Sequence, residues 1–342
     1  MVCMGRASDL GEQSFVLVRL DAKGHQRGDG TELTVAGEVR DLALVAAPGD
    51  EERILAVVTT RTEEVFGDRD VVLYHDRARL LDLGTPLKCG ISELGPLGHA
   101  DVASVQAASL GRQTTWTMGT VRWVPDASMG VWNAVVSLEY GYGVGPSLPV
   151  LRQTDIGGAI RAHAVAEQGI VALAGTSKLL ELWALPASGP PKCLGEVARA
   201  RTRTSFSDAS ILRLADGFAL IWYVVANASA GPVGGLWART CSMSCDALSP
   251  PVRLARDDDA LWGEWGAHDL GNTGLVLFGS GAKGDPVREL RLGERRDIDS
   301  VPRRFVPGPL PLAVIATSEG AVVITNQDTR GTSRVTARLI AL

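Results

Sequence analysis

Trp262, Glu264 and Trp265 stand close together in a chain with eight tryptophans. Two aromatic faces beside a carboxylate on a rim are what a sugar-binding surface needs. His99 falls just ahead of a strand pattern and is the fourth candidate for such a surface. His163 and His268 each lie six residues before a glycine, Gly169 and Gly274. Imidazoles repeated around a channel could bind a metal. The matching residues elsewhere are Ala43, Val105, Ile211 and Val314, so these positions read as core and the two histidines as satisfied core residues. The acidic run Asp257-Asp258-Asp259 lacks the ligand spacing and sharp glycine turn of a calcium loop. Gly279-Ser-Gly-Ala-Lys-Gly284 lacks the Lys-Ser/Thr ending and the following helix of a phosphate loop. No Gly-x-Ser-x-Gly elbow occurs. No cofactor and no metal are therefore expected.

Five cysteines are present, and Cys241 and Cys245 flank Ser242-Met243-Ser244 at the expected tip of a hairpin. Opposed residues of an antiparallel pair come within disulfide range. Closing so small a loop would stabilise by about 2 kcal/mol. A disulfide is the first reading. Two unpaired thiols in a turn are the second, and a zinc half-site the third, with no second ligand pair to complete it. A bridge would place the chain in an oxidising compartment.

These residues must be positioned by strands. The stretch 207–256 sets the pattern, with expected strands at Ser210–Ala215, Phe218–Val225, Gly235–Cys241 and Pro251–Ala255. Asp216-Gly217 is expected to join the first two as a tight hairpin at positive φ. An alternating strand, a turn closing on glycine and an apolar strand recur at Gly49, Gly111, Gly169, Gly217, Gly274 and Gly320. These glycines are 46 to 62 residues apart. Such spacing suits propeller blades of about 40–50 residues carrying variable loops. In the first unit Val71–His75 and Leu80–Leu83 read as two strands. Helix periodicity is nearly absent.

The expected fold is an all-β propeller in one domain spanning 1–342, with residues 1–12 irregular. Six four-stranded blades are expected, the N- and C-terminal strands sharing the closing blade. Seven blades are the alternative, and a fragment of a longer array would leave open sheet edges instead.

A net charge of −5 and the lack of a dense basic cluster argue against a nucleic-acid partner. All but five of the 34 basic residues are arginine, and the densest run is Arg199, Arg201 and Arg203. Biased coding is the plain explanation of that preference. No apolar run reaches the ~18–20 residues that span a bilayer, and Met1–Gly11 has no signal-peptide pattern.

Leu236-Trp-Ala-Arg-Thr-Cys-Ser-Met-Ser-Cys-Asp-Ala-Leu-Ser-Pro-Pro-Val-Arg-Leu254 resembles the outer hairpins of secreted bacterial sialidase-like (BNR-type) propeller repeats. Arg19–Gly24 and Ala215–Trp222 look like the same broad group. The resemblance implies a propeller, a Cys pair across the turn and a secreted or otherwise extracytoplasmic location. The Asp-box, Ser-x-Asp-x-Gly-x-Thr-Trp, is absent, so catalysis is not carried over with it. Gly24-His25 and Gly98-His99 have no Trp-Asp pair to complete a WD repeat.

The reading that follows is a monomeric, non-catalytic binding or scaffold propeller. It would take a glycan or a protein partner through loops at the channel mouth. A glycoside hydrolase at the same mouth and an interaction domain of a larger repeat protein are the competing readings. Converging carboxylates would mark the first, and unpaired strand edges near the termini the second.

Overall fold

The structure, a computed structural model, describes residues 2–7, 12–47, 50–66, 71–83, 90–93, 100–110, 113–126, 131–144, 152–154, 159–166, 169–186, 188–202, 204–226, 234–256, 265–270, 273–279, 287–292, 303–304, 310–329 and 332–340. All regular elements among them are strands. β1 (Val2–Ala7), β2 (Glu12–Leu20) and β3 (Gln26–Ala36) form an N-terminal sheet. Five four-stranded sheets follow. The first holds β4 (Glu38–Ala47), β5 (Asp50–Phe66), β6 (Val71–Leu83) and β7 (Gly90–Glu93). The second holds β8 (Ala100–Leu110), β9 (Gln113–Asp126), β10 (Val131–Val144) and β11 (Arg152–Thr154). The third holds β12 (Ala159–Ala166), β13 (Gly169–Gly175), β14 (Leu179–Leu185) and β15 (Lys192–Arg199). The fourth holds β16 (Thr204–Leu214), β17 (Gly217–Ala226), β18 (Gly235–Ser242) and β19 (Val252–Arg256). The fifth holds β20 (Trp265–Asp269), β21 (Gly274–Phe278), β22 (Arg288–Leu292) and β23 (Arg303–Arg304). β24 (Ala313–Thr317), β25 (Gly320–Thr329) and β26 (Thr332–Ile340) end the chain. Every sheet is an antiparallel meander in chain order.

Packing between sheets follows from the period of two. On β17, Phe218, Leu220, Trp222 and Val224 point one way, into a buried cluster with Leu173, Leu180 and Leu182 of the third sheet. Ala219, Ile221 and Tyr223 point the other way, against Val276, Phe278, Leu290 and Leu292 of the fifth. The strand is therefore apolar without alternation, because both of its faces are covered. The fifth sheet uses its other face in the same manner, setting Leu275 and Leu277 against Val314, Ala321 and Val323.

The first strands of the sheets touch in succession: β4 and β8, β8 and β12, β12 and β16, β16 and β20, β20 and β24. The two ends of the chain meet. The Thr317 hydroxyl donates to the Ala22 carbonyl oxygen at 3.0 Å, and Lys23 Nζ lies 3.7 Å from Glu319 Oε2. Asp21 builds the turn that reaches across, its Oδ1 accepting from the amides of Lys23 and His25 at 2.8 and 2.9 Å. Gly24 closes that turn at φ +82°, where a Cβ would stand 3.2 Å from Val322 Cγ1. β2 and β3 in turn touch β4 and β5. The sheets thus follow one another around a closed circuit, which is a β-propeller.

Several details differ from the sequence reading. The terminal strands do not share a sheet: β1–β3 and β24–β26 are two separate three-stranded sheets packed against each other. Val2–Ala7 is a strand, paired with β2 over 6 residues, where 1–12 was expected to be irregular. The two strands expected within 71–83 are one. Leu214 pairs with Gly217, so the turn residues are Ala215 and Asp216. Neither has a positive φ; among the described non-glycine residues only Cys245 does, at 52°. Gly217 is needed for a different reason: a Cβ there would lie 2.0 Å from the Cys241 carbonyl oxygen of the next strand.

The two inner-strand histidines also do not share a register. His163 pairs with Ala172, three residues into β13. His268 pairs with Leu275, one residue into β21, because the β20–β21 turn is two residues longer. His268 is not satisfied either. Its Nε2 is buried without a hydrogen-bond partner, and burial pushes its pKa down to about 4. The unfolded chain takes up this proton near the ordinary 6.5. The contribution is therefore complete above pH 6.5 and is lost as pH falls toward 4, by up to about 3 kcal/mol. Urea titrations between pH 4 and 7 should show this slope, and His268→Gln should flatten it.

Candidate functional site

Four of the first strands, β4, β8, β12 and β16, carry a register irregularity near their starts. Bulges there re-aim the chain as it enters each sheet. In β16 the irregularity falls at Ser207-Asp208, with Asp208 Oδ1 accepting from the Ala209 amide at 2.8 Å. Beside this end lies a cleft of about 580 Å³ between β15 of the third sheet and the face of the fourth.

The fourth sheet supplies the apolar wall of the cleft. Trp222 and Trp237 are direct cross-strand neighbours. Phe206 and Val224 continue the wall toward the start of β16. Trp237 pairs in turn with Arg253 of the outer strand. That register lays the Arg253 guanidinium over the indole, 5.6 Å from the ring centroid, a cation–π stack.

The facing wall is the end of β15 and the connection that follows it. Glu196 and Arg199 pair there, Nη2 to Oε2 at 2.5 Å and Nε to Oε2 at 3.1 Å. That carboxylate raises the Arg199 pKa above its ordinary value. The connection is held firmly. The Ala200 amide donates to Lys178 O at 2.8 Å, and the Lys178 ammonium donates to Thr204 O. Both the amide and the hydroxyl of Thr204 donate to Arg201 O, at 3.1 and 2.9 Å. The Arg201 backbone is thereby fixed while its side chain stays exposed on the rim.

Arg239 ties the two walls together. Its Nη1 donates to Val197 O at 2.9 Å and Glu196 O at 3.2 Å, and its Nε to Ser249 O at 2.6 Å. The charged lining is three arginines, Arg199, Arg201 and Arg253, against one acid, Glu196. Among the described residues no group of three His, Cys, Asp or Glu could hold a metal ion, and no helix is long and apolar enough to cross a membrane.

The residues singled out from the sequence fall elsewhere. His99, Trp262 and Glu264 lie outside the described residues, as do Arg203 and Asp257-Asp258-Asp259. Trp265 opens β20, half-buried, and packs against the apolar cluster between the fourth and fifth sheets. Cys241 and Cys245 are both buried, their sulfurs 3.3 Å apart as two thiols. They are not opposed in a ladder: Cys241 faces Leu248. Cys245 reaches Cys241 through a tight turn, its amide donating to Ser242 O at 2.9 Å. The hydrogen bond with Cys241 lowers the Cys245 pKa against the opposing effect of burial.

The basic run at 199–203 was visible in the sequence, but its partners were not. The overlooked signal is that Trp237 and Arg253 fall on adjacent strands beside Trp222, so one face carries aromatics and a guanidinium together.

No family model and no curated protein matches the chain. Solved structures of similar shape include Trypanosoma rangeli sialidase in complex with the inhibitor DANA, at 9% identity and TM-score 0.46, over 95% of this chain and 58% of that one. The Vanderwaltozyma polyspora Nup133 β-propeller domain is matched at 8% identity and TM-score 0.45, over 98% of this chain and 100% of that one. The Xanthomonas citri GH43_1 enzyme complexed with xylotriose is matched at 10% identity and TM-score 0.41, over 90% and 88%. This chain thus spans little more than half the length of the sialidase. Likeness of this extent does not transfer an activity.

Proposed function

We propose that the protein is a non-catalytic, monomeric glycan-binding propeller, and that its ligand seats in the cleft between β15 and the fourth sheet. The observation that carries this reading is the pairing of an aromatic wall with a guanidinium rim in a cavity of about 580 Å³. That size lies within the range of small-molecule sites. Glycoside hydrolysis needs two carboxyl groups flanking the bond. The described lining offers only Glu196, already engaged by Arg199. A glycan array run beside a panel of chromogenic glycosides tests the reading. Retention of at least one saccharide class without hydrolysis is expected. Turnover of any glycoside, or no retention at all, would contradict it.

An extracytoplasmic location goes with this role, and in that setting Cys241 and Cys245 join. Two thiols lose two protons and two electrons to an external disulfide oxidant, forming one S–S bond. Thiol titration of protein purified without reductant and then denatured should find three free thiols of the five. Oxidation should add about 2 kcal/mol of stability. Five free thiols would remove the argument for an oxidising compartment.

A further inference from the structure

We propose that the outer edge of β26 takes up a fourth strand supplied by a partner protein, an extended segment of acidic character. The molecule itself shows what belongs at that edge. β24 touches β20, first strand to first strand, so β26 is the third strand of its sheet. In each of the five four-stranded sheets the third strand is covered on its outer edge by an antiparallel strand. β7 covers β6, β11 covers β10, β15 covers β14, β19 covers β18 and β23 covers β22. Among the described residues β26 pairs with β25 alone.

That edge is long and regular. Its register with β25 runs without a shift from Thr332 to Ile340, and it holds no proline. Such an edge presents a row of N–H and C=O groups spaced for another strand. The side chains report the same lack of cover. Val335, Ala337, Leu339 and Ile340 are only half-buried. On β18, which β19 covers, Leu236, Ala238, Thr240 and Cys241 are buried. The covering strands also bring carbon of their own, since Val197 of β15 and Ala255 of β19 lie in the buried clusters between sheets.

Charge selects the partner. β26 carries Arg334 and Arg338 and no acidic residue, and Arg338 is exposed. With a period of two, both arginines fall on one face of the strand, and Val335, Ala337 and Leu339 on the other. A segment that alternates carboxylates with aliphatics matches both faces at once. Opposite charges across a strand pair stabilise it, and like charges destabilise it. This disfavours a second copy of the chain as occupant. Antiparallel self-pairing over the whole of β26 is centred on Thr336 and sets Arg334 against Arg338. Strand addition draws affinity from main-chain hydrogen bonds and specificity from alternate side chains.

The test is fluorescence anisotropy of the whole chain with a labelled peptide of alternating valine and glutamate, its valine–lysine counterpart, and a valine–glutamate form with a central proline. The variants are Arg338→Glu and, remote from this edge, Lys192→Gln. The glutamate peptide is expected to bind about tenfold more tightly than the lysine one. The proline form should lose about as much, because proline cannot donate to the ladder. Arg338→Glu should abolish the preference for glutamate, with Lys192→Gln unchanged. Bound peptide should slow hydrogen exchange at the amides of β26, and sedimentation should find the protein monomeric.

No binding of any peptide overturns the proposal, as does protection that falls elsewhere and leaves β26 unchanged. Equal affinity for the two charge forms, or an unaltered preference in Arg338→Glu, overturns the acidic assignment. A dimer protected along β26 overturns the choice of partner and makes the occupant a second copy. None of these outcomes bears on the glycan reading, whose cleft lies between the third and fourth sheets.

Discussion

Leu220→Ala and Ile221→Ala should each cost about 3 kcal/mol, within the range for deleting a buried aliphatic side chain. The two residues are neighbours on β17, and both are fully buried. Leu220 fills the cluster shared with the third sheet, and Ile221 the cluster shared with the fifth. In a sheet with one wet face, consecutive residues alternate between core and solvent, so one substitution of the pair would be nearly neutral. Equal and large losses are the mark of a sheet covered on both sides by neighbours in a circuit. Leu312→Ala, at a residue 63% exposed, is the control and should stay within about 0.5 kcal/mol of the parent. Urea denaturation monitored by tryptophan fluorescence measures all three. A loss from Leu220→Ala with none from Ile221→Ala would contradict the packing.

Gly217→Ala should be at least as damaging, costing about 4 kcal/mol or preventing folding. The added methyl would sit 2.0 Å from the Cys241 carbonyl oxygen and 3.0 Å from its carbonyl carbon. Both are backbone atoms of the paired strand, so relief requires β17 and β18 to separate rather than a side chain to turn. Clashes of this kind belong to the small set of causes of very large losses. Gly28 is the informative comparison. It has φ +69° and nothing within 4 Å of a built Cβ, so Gly28→Ala pays only the left-handed backbone penalty of about 1–2 kcal/mol. If Gly217→Ala matched Gly28→Ala, the close approach would not exist.

Much of the architecture was legible because one residue type marks it. Gly169, Gly217, Gly274 and Gly320 each open the second strand of a sheet. The apolar run Phe218–Val225 already read as a strand, and neighbouring sheets cover it on both faces. Register was less legible. Equal spacing of His163 and His268 from their glycines suggested equivalence, yet turn length decides pairing, and the two turns differ. The Asp-Gly pair at 216–217 suggested a left-handed turn by local preference. The glycine instead answers to a carbonyl oxygen two dozen residues away, which no local rule contains. The strand at Val2–Ala7 has little apolar alternation of its own and owes its order to pairing with β2.

The cleft was hidden for the same reason as the register. Its arginines and aromatics come from β15, from the 200–201 connection and from four strands of the next sheet. In the sequence Arg199 and Arg201 read as coding preference, and large flat side chains such as Trp222 and Trp237 pack between sheets by default. Trp222, at 2% exposed, does pack. Only the meeting of two sheets shows that the same wall ends in an open, positively charged rim.

The account turns on where a ligand sits. A crystal structure of the protein soaked with a saccharide retained on the glycan array tests that directly. The predicted result is a sugar lodged between β15 and the fourth sheet, within the cleft lined by Trp237 and Pro251. A sugar bound at the axis with this cleft empty, or one held between two carboxylates, would contradict it.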